Sequence, residues 1–201
     1  MTDLTLGIRS AHHLIRLNSE AKADPRLWLS FLSKCNGKSF FLLHEWFNSH
    51  KLNLFTHASG VLGFGAIFGT HWCYGRWPNE WAYTNIATLE FFSIVLSLFL
   101  WGHEMKNRCI LFFTDNEVLV HVINKQSCRD KIMMSFVCQL VLICLRNNIV
   151  FKAKHVPGSQ NALEDALSRL QVQTFQRLAP SFMDHSPTDI PLHLQPQNWQ
   201  L

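Results

Sequence analysis

The sequence has few charged residues, no closely spaced cysteine pairs and no long apolar run. Its six cysteines include no C-x-x-C spacing, and several lie inside apolar segments, so neither a zinc site nor a disulfide framework is predicted. The longest apolar segments, residues 91–101 and 132–145, are shorter than the roughly 20 residues that a membrane-spanning helix needs. The amino terminus carries no apolar signal segment. We therefore expect an intracellular protein, cytoplasmic or nuclear, without membrane contact.

The chain does contain enough apolar sequence for a core. Apolar residues make up 48% of the sequence and charged residues 16%, and a length of 201 residues suits one domain with extensions or a domain plus a small satellite. The net charge is +4, and residues 51–160 carry ten Lys or Arg against six Asp or Glu. A basic centre is compatible with a phosphate-bearing partner, although many cytosolic enzymes are equally basic.

The apolar pattern divides the chain into three parts. Residues 1–50 show helical spacing and are predicted to form a helical connection segment, residues 51–172 a domain, and residues 173–201 a Pro-rich tail without periodicity. Within the domain, the order β-β-β-α-β-α-α-β-α is predicted. The predicted strands cover 52–59, 63–68, 71–77, 109–114 and 149–155, and the predicted helices cover 84–104, 116–125, 131–146 and 161–170. This order predicts an α/β fold: a mixed five-stranded sheet, three antiparallel strands followed by parallel ones, with helices on both faces.

Three carboxylates are candidates for a site, and each has an ordinary alternative. Glu90 lies near the start of a helix that is apolar on nearly every face, so it is either a buried site residue or an exposed first-turn glutamate. Asp115 follows a strand and is either a site residue or the N-cap of the next helix. Asp165 lies at the edge of the apolar face of a short helix, where a solvated charge is the simpler interpretation.

Taken together, these three carboxylates favour a metal site. The predicted order brings their three elements to one edge of the sheet, where open α/β sheets build their sites. A cluster of carboxylates repels itself unless cations neutralise it, and all-oxygen ligands suit Mg²⁺ or Mn²⁺. Two such ions about 4 Å apart are suited to in-line phosphoryl displacement.

The combined pattern resembles the ribonuclease H domain of retroelement reverse transcriptases. In that family an acid follows the first strand, a glutamate lies in the first helix, an aspartate follows the fourth strand, and a final aspartate lies in an A-D-x-L-S-R segment. The corresponding residues here are His57, Glu90, Asp115 and Asp165. Residues 155–161, which read H-V-P-G-S-Q-N, are similar to the family's H-x-P-G-x-x-N motif.

In detail the chain most resembles DIRS-like, tyrosine-recombinase retroelements, in which a helical connection precedes the domain and a tail follows it. The resemblance implies the carboxyl-terminal piece of a polyprotein, whose ancestral partner is a polymerase domain and whose substrate is an RNA/DNA hybrid. It implies that Glu90, Asp115 and Asp165 are catalytic and bind Mg²⁺ or Mn²⁺. It also implies a catalytic role for His155 near the cleaved phosphate, although a structural histidine at a strand end explains that residue equally well.

The chain departs from the family at His57, where the first acid is expected. A carboxylate can bridge two metal ions because its two oxygens carry several lone pairs, whereas each imidazole nitrogen offers one lone pair and the two diverge. His57 also removes a negative charge and is expected to pair with the remaining carboxylates as an internal cation. We therefore expect severely reduced or absent hydrolysis, with metal binding lost or weakened.

Three functions remain open on the sequence. The first is a retroelement-derived domain that has lost hydrolysis, the second an active Mg²⁺-dependent hybrid endonuclease that tolerates His57, and the third a non-catalytic module that binds nucleic acid or protein. Five basic residues could hold a nucleic-acid backbone, or could form a solvated rim. They are Lys125, Arg129, Lys131, Lys152 and Lys154.

Overall fold

The computed structural model describes Arg16 and residues 19–32, 45–156 and 162–199. The chain divides into two compact units, Met1–Ser39 and Phe40–Leu201. In the first unit the described element is helix α1 (Ser19–Leu32), which lies where a helical segment was predicted. No described helix is long and apolar enough to cross a membrane.

The second unit is a mixed α/β structure, as predicted. From β2 to α6 its elements follow the order β-β-β-α-β-α-α-β-α, which confirms the predicted order. The elements are β1 (Trp46–Asn48), α2 (Ser49–Leu52), β2 (Leu54–Ala58), β3 (Gly63–Phe68), β4 (His71–Arg76), α3 (Ile86–Trp101), β5 (Cys109–Thr114), α4 (Glu117–Lys125), α5 (Lys131–Arg146), β6 (Val150–His155), α6 (Ala162–Ser168) and α7 (Val172–Leu178).

Strands β2, β3 and β4 form an antiparallel meander. Gly69 adopts a left-handed conformation (φ 60°) in the tight turn between β3 and β4, a conformation that glycine adopts without steric cost. In the β2–β3 pair, His57 lies opposite Gly65. The register of β2 therefore fixes the position of the histidine relative to the neighbouring strand.

Strands β1, β5 and β6 form a second, parallel sheet. A single five-stranded sheet was predicted, whereas the described strands divide into three and three. The reason is β1, which pairs with β5 from Trp46 opposite Cys109 to Asn48 opposite Leu111 and so lies where β2 was expected. Next to this pair, the Phe113 amide donates to Ser49 Oγ of α2 (3.1 Å) instead of to a strand. The three residues of β1 were placed in the helical segment because a strand this short shows no period of two.

Helices cover both faces of the antiparallel sheet. On one face the main hydrophobic cluster contains α3, which is apolar on nearly all sides and packs against β2, β3 and α5. On the other face a second cluster joins Ile67 and Trp72 to residues of α6, α7 and the following segment. A Cβ at Gly65 would lie 2.3 Å from Leu167 Cβ, so α6 contacts β3 closely.

The carboxyl-terminal segment packs onto this unit over much of its length. Phe175 and Met183 are buried in the second cluster, and Leu194 is buried in the main one. Trp199 contacts the rings of phenylalanines in α3 and α5. The segment lacks periodicity because its regular elements after α7 are single 3₁₀ turns, Leu192–Leu194 and Pro196–Asn198.

Candidate active site

A cavity of about 390 Å³ lies between the ends of β2 and β5. The four positions singled out in the sequence, His57, Glu90, Asp115 and Asp165, all line it. They come from β2, α3, the residue after β5, and α6. The two strands do not pair with each other, but their carboxyl ends do lie at one site.

His57 and Asp165 contact each other inside this cavity. His57 Nε2 lies 3.7 Å from Asp165 Oδ1, and both side chains are partly exposed. The contact depends on the close packing of α6 on β3, because Gly65 lies opposite His57 and contacts Leu167 of α6. A larger residue at Gly65 would separate the helix from the sheet.

Asp165 also accepts two hydrogen bonds from its own helix turn. Arg169 Nε lies 2.8 Å from Asp165 Oδ1 and 2.9 Å from Oδ2. The pair spans four residues along the chain, which places the two side chains on one face. Both Asp165 oxygens therefore have a cationic neighbour within this structure.

Glu90 lies in the second turn of α3 and lines the cavity. The alternative interpretation, an exposed glutamate in the first turn of the helix, is therefore wrong. Its Oε2 accepts a hydrogen bond from Asn116 Nδ2 (2.9 Å). The pKa of Glu90 is raised to about 7: burial raises it most, the hydrogen bond from Asn116 lowers it, and the nearby charge of Asp115 raises it.

Asp115 is exposed at the end of β5 and does not cap the next helix. Asn116 is the N-cap of α4: its Oδ1 accepts from the amides of Val118 (3.1 Å) and Leu119 (3.4 Å). The capping alternative for Asp115 is therefore wrong, and Asn116 is a site residue that the sequence reasoning missed. The signal was present, because asparagine is as good an N-cap as aspartate and lies one residue later.

His155 lies at the end of β6 beside Asp115. Its Nε2 is 3.2 Å from the Asp115 carbonyl oxygen, and since a carbonyl can only accept, Nε2 carries the proton in this contact. The side chain is exposed and does not line the cavity. Residues 157–161 of the predicted H-x-P-G-x-x-N motif lie outside the described residues.

The five predicted basic residues lie away from the cavity lining. Lys125, Arg129 and Lys131 are exposed around the segment between α4 and α5. Lys152 and Lys154 are exposed on β6. The structure therefore separates them into two groups.

The side chains of the cavity do not fit a pair of divalent cations as they are placed. Among the described residues, no three His, Cys, Asp or Glu side chains come close enough to share an ion. Glu90 and Asp165 accept hydrogen bonds from Asn116 and Arg169, and His57 cannot bridge two ions.

This chain has limited similarity to known proteins. No protein-family model matches the chain, and no curated protein is similar to it. Among solved structures, it is similar to the N-terminal RNase H domain of a Mycobacterium tuberculosis protein, solved as a fusion with maltose-binding protein. The TM-score is 0.43 and the identity 13%, with 63% of this chain and 95% of that chain covered. A similarity of this size establishes neither the family nor the activity of this chain.

Proposed function

We propose that this chain is a ribonuclease H-like domain of a DIRS-like retroelement whose hydrolytic activity is impaired. The ancestral reaction is hydrolysis of the RNA strand of an RNA/DNA hybrid with Mg²⁺ or Mn²⁺. The supporting observation is that the four positions of the sequence motif, which are up to 108 residues apart along the chain, line one cavity.

The impairment follows from His57. Hydrolysis in the family depends on a first acid that the chain lacks, and imidazole cannot replace a bridging carboxylate. His57 Nε2 lies 3.7 Å from Asp165 Oδ1, so the histidine contacts a carboxylate that the resemblance makes a metal ligand. The set of metal ligands that the resemblance implies is then incomplete, because it retains Glu90, Asp115 and Asp165 but lacks the first acid.

The partner proposed for this site is an RNA/DNA hybrid. The exposed Lys125, Arg129 and Lys131 near the amino end of α5 would contact the phosphates of a duplex, with an affinity that falls with salt. The ancestral polymerase domain would belong to the same polyprotein.

The test is cleavage of an end-labelled RNA/DNA hybrid with Mg²⁺ and separately with Mn²⁺. The wild-type chain is compared with His57→Asp and with His57→Asn, which removes the imidazole without supplying a carboxylate. The double variant His57→Asp/Asp115→Asn controls for a contaminating nuclease. We expect only His57→Asp to cleave. Rapid cleavage by the wild-type chain would overturn the impairment and favour the active endonuclease.

If the folded His57→Asp variant also fails to cleave, the impairment extends beyond His57, and a binding or vestigial role becomes the better account. The non-catalytic alternative then has to be judged by binding alone. Circular dichroism of each variant separates loss of chemistry from loss of fold.

A further inference from the structure

One face of the parallel sheet packs on neither hydrophobic cluster. Strand alternation and the register of β1, β5 and β6 place Trp46, Leu111, Phe113 and Val150 on the same face. These four apolar residues are partly exposed and belong to neither the main cluster nor the second one. On the opposite face, Ile110 and Phe112 are buried in the main cluster. On the first face the short helix α2 lies beside Phe113, whose ring centre is 5.6 Å from that of His50, and none of the longer described helices covers the rest.

Among the described residues, this face carries positive charge and no carboxylate. Lys152 and Lys154 of β6 extend the same alternating row, beside Leu111 and Phe113 of β5. Lys152 Nζ lies 5.1 Å from the centre of the Trp46 ring, so its side chain crosses β5 to reach β1. The remaining members of the row, Asn48 and Cys109, carry no carboxylate.

The β6 edge of this sheet is less available to an added strand than its face is. The side-chain amide of Asn124 donates to the Ala153 carbonyl (2.8 Å) and accepts from the Ala153 amide (2.8 Å). These are backbone groups of β6 that an added strand would need. A partner on the β6 side of this sheet is therefore expected to lie across the strands instead of adding to the edge.

We infer that this face, made of Trp46, Leu111, Phe113, Lys152 and Lys154, binds single-stranded nucleic acid. Open sheet faces that combine aromatic rings with basic side chains suit unpaired strands, because bases stack on the rings and phosphates contact the cations. A duplex offers no base faces for such stacking. Lys152 and Lys154 then belong to a surface that meets the candidate cavity at Phe113, but single-strand binding by this surface does not depend on the proposed hydrolytic ancestry of the cavity.

The first experiment measures the anisotropy of a fluorescein-labelled ten-nucleotide RNA, and of DNA of the same sequence, against the full chain in increasing KCl. The charge variant is Lys152→Gln/Lys154→Gln, and the matched control Arg146→Gln/Arg177→Gln removes two exposed charges from α5 and α7. We expect the charge variant to lower the slope of log affinity against log salt by about 1.4, and the control to leave it unchanged. Absence of binding by the wild-type chain at low salt, or equal losses in both variants, overturns the inference.

The second experiment tests stacking. Trp46→Ala is expected to weaken RNA binding about tenfold, and Trp46→Tyr to retain most of it, because tyrosine keeps a ring for stacking. Binding of a ten-base-pair RNA/DNA hybrid should change little in either variant. An unchanged affinity of Trp46→Ala for the single strand contradicts the inference. If Trp46→Ala fails to fold, the salt slope of the lysine variant is the test of single-strand binding by this face. Because the single strand and the hybrid are measured separately, failure here leaves the proposed function untouched.

Discussion

Asn116 joins two elements of the candidate site through one side chain: its Nδ2 donates to Glu90 Oε2 of α3 (2.9 Å), and its Oδ1 caps α4. Glu90 therefore has a neutral donor as its described hydrogen-bond partner, in a place where burial opposes its charge. The arrangement makes Glu90 a source of pH dependence in the stability of the fold.

The substitution Glu90→Gln should stabilise the protein at high pH. Burial raises the pKa of Glu90 from 4.5 to about 7 in the folded state, so between these values the folded state binds more protons than the unfolded state. Stability is then full below pH 4.5 and falls as the pH rises to about 7. Urea unfolding should give Glu90→Gln an advantage of about 2 kcal/mol at pH 8 and almost none at pH 4. The control is Glu80→Gln, an exposed glutamate whose replacement should change little at either pH. An advantage that is the same at both pH values would contradict the assignment.

The substitution Asn116→Asp should separate the two roles of Asn116. Aspartate caps helices as well as asparagine does, so the cap of α4 is kept. The variant loses the donor to Glu90 and adds a like charge beside it, which destabilises the fold where both groups are ionised. We expect a loss of about 1–2 kcal/mol at pH 8 and a smaller loss at pH 5, measured by urea unfolding. Asn116→Ala, which removes cap and donor together, should be destabilised at both pH values.

The substitution Gly65→Ala should destabilise the fold and disturb the cavity. Its Cβ would lie 2.3 Å from Leu167 Cβ, so α6 must move away from β3 and carry Asp165 with it. We expect a loss of about 1–3 kcal/mol, as for other overpacked sites. Gly60→Ala is the matched control, since a Cβ there meets nothing within 4 Å. Equal thermal unfolding midpoints for the two variants would show that α6 does not depend on this contact.

The sequence predicted the elements with long or regular patterns and missed those with short ones. The β3–β4 hairpin was predictable because glycine marks its turn, and β5 was predictable because its apolar run ends at a polar residue. The three-residue β1 carries no such pattern, yet it decides that β2 and β5 do not pair. Local sequence shows which residues favour a strand, whereas competition between β1 and β2 for one edge of β5 is settled by tertiary packing.

The same limit applies to the candidate site. The four motif positions could be placed at one sheet edge because the predicted order of the elements that carry them brings those elements together there. The hydrogen bond from Asn116 to Glu90 could not be inferred, since it depends on how side chains of α3 and of the α4 N-cap are placed in the folded structure. The exposure of one face of the parallel sheet could not be predicted either. The alternation of side chains in β5 and β6 does not show which face of the sheet the helices cover.

Trp199 gives a test of whether the carboxyl-terminal segment is part of the folded unit. Its ring lies 5.2 Å from Phe92, 5.8 Å from Phe99 and 5.4 Å from Phe136, measured between ring centres. Its Nε1 donates to the Leu194 carbonyl (3.0 Å), which holds the last 3₁₀ turns together.

Trp199→Ala should therefore cost about 2–4 kcal/mol of stability, through lost apolar contact and lost aromatic pairing. Phe182→Ala is the control from the same segment, because Phe182 is 63% exposed and its loss should cost less than about 0.5 kcal/mol. Both are measured by urea unfolding of the full chain, and limited proteolysis reports where the chain opens. We expect early cleavage in the segment beyond Thr188, and only in the Trp199→Ala variant. Similar stability of the two variants would mean that Trp199 contributes no packing energy to the unit.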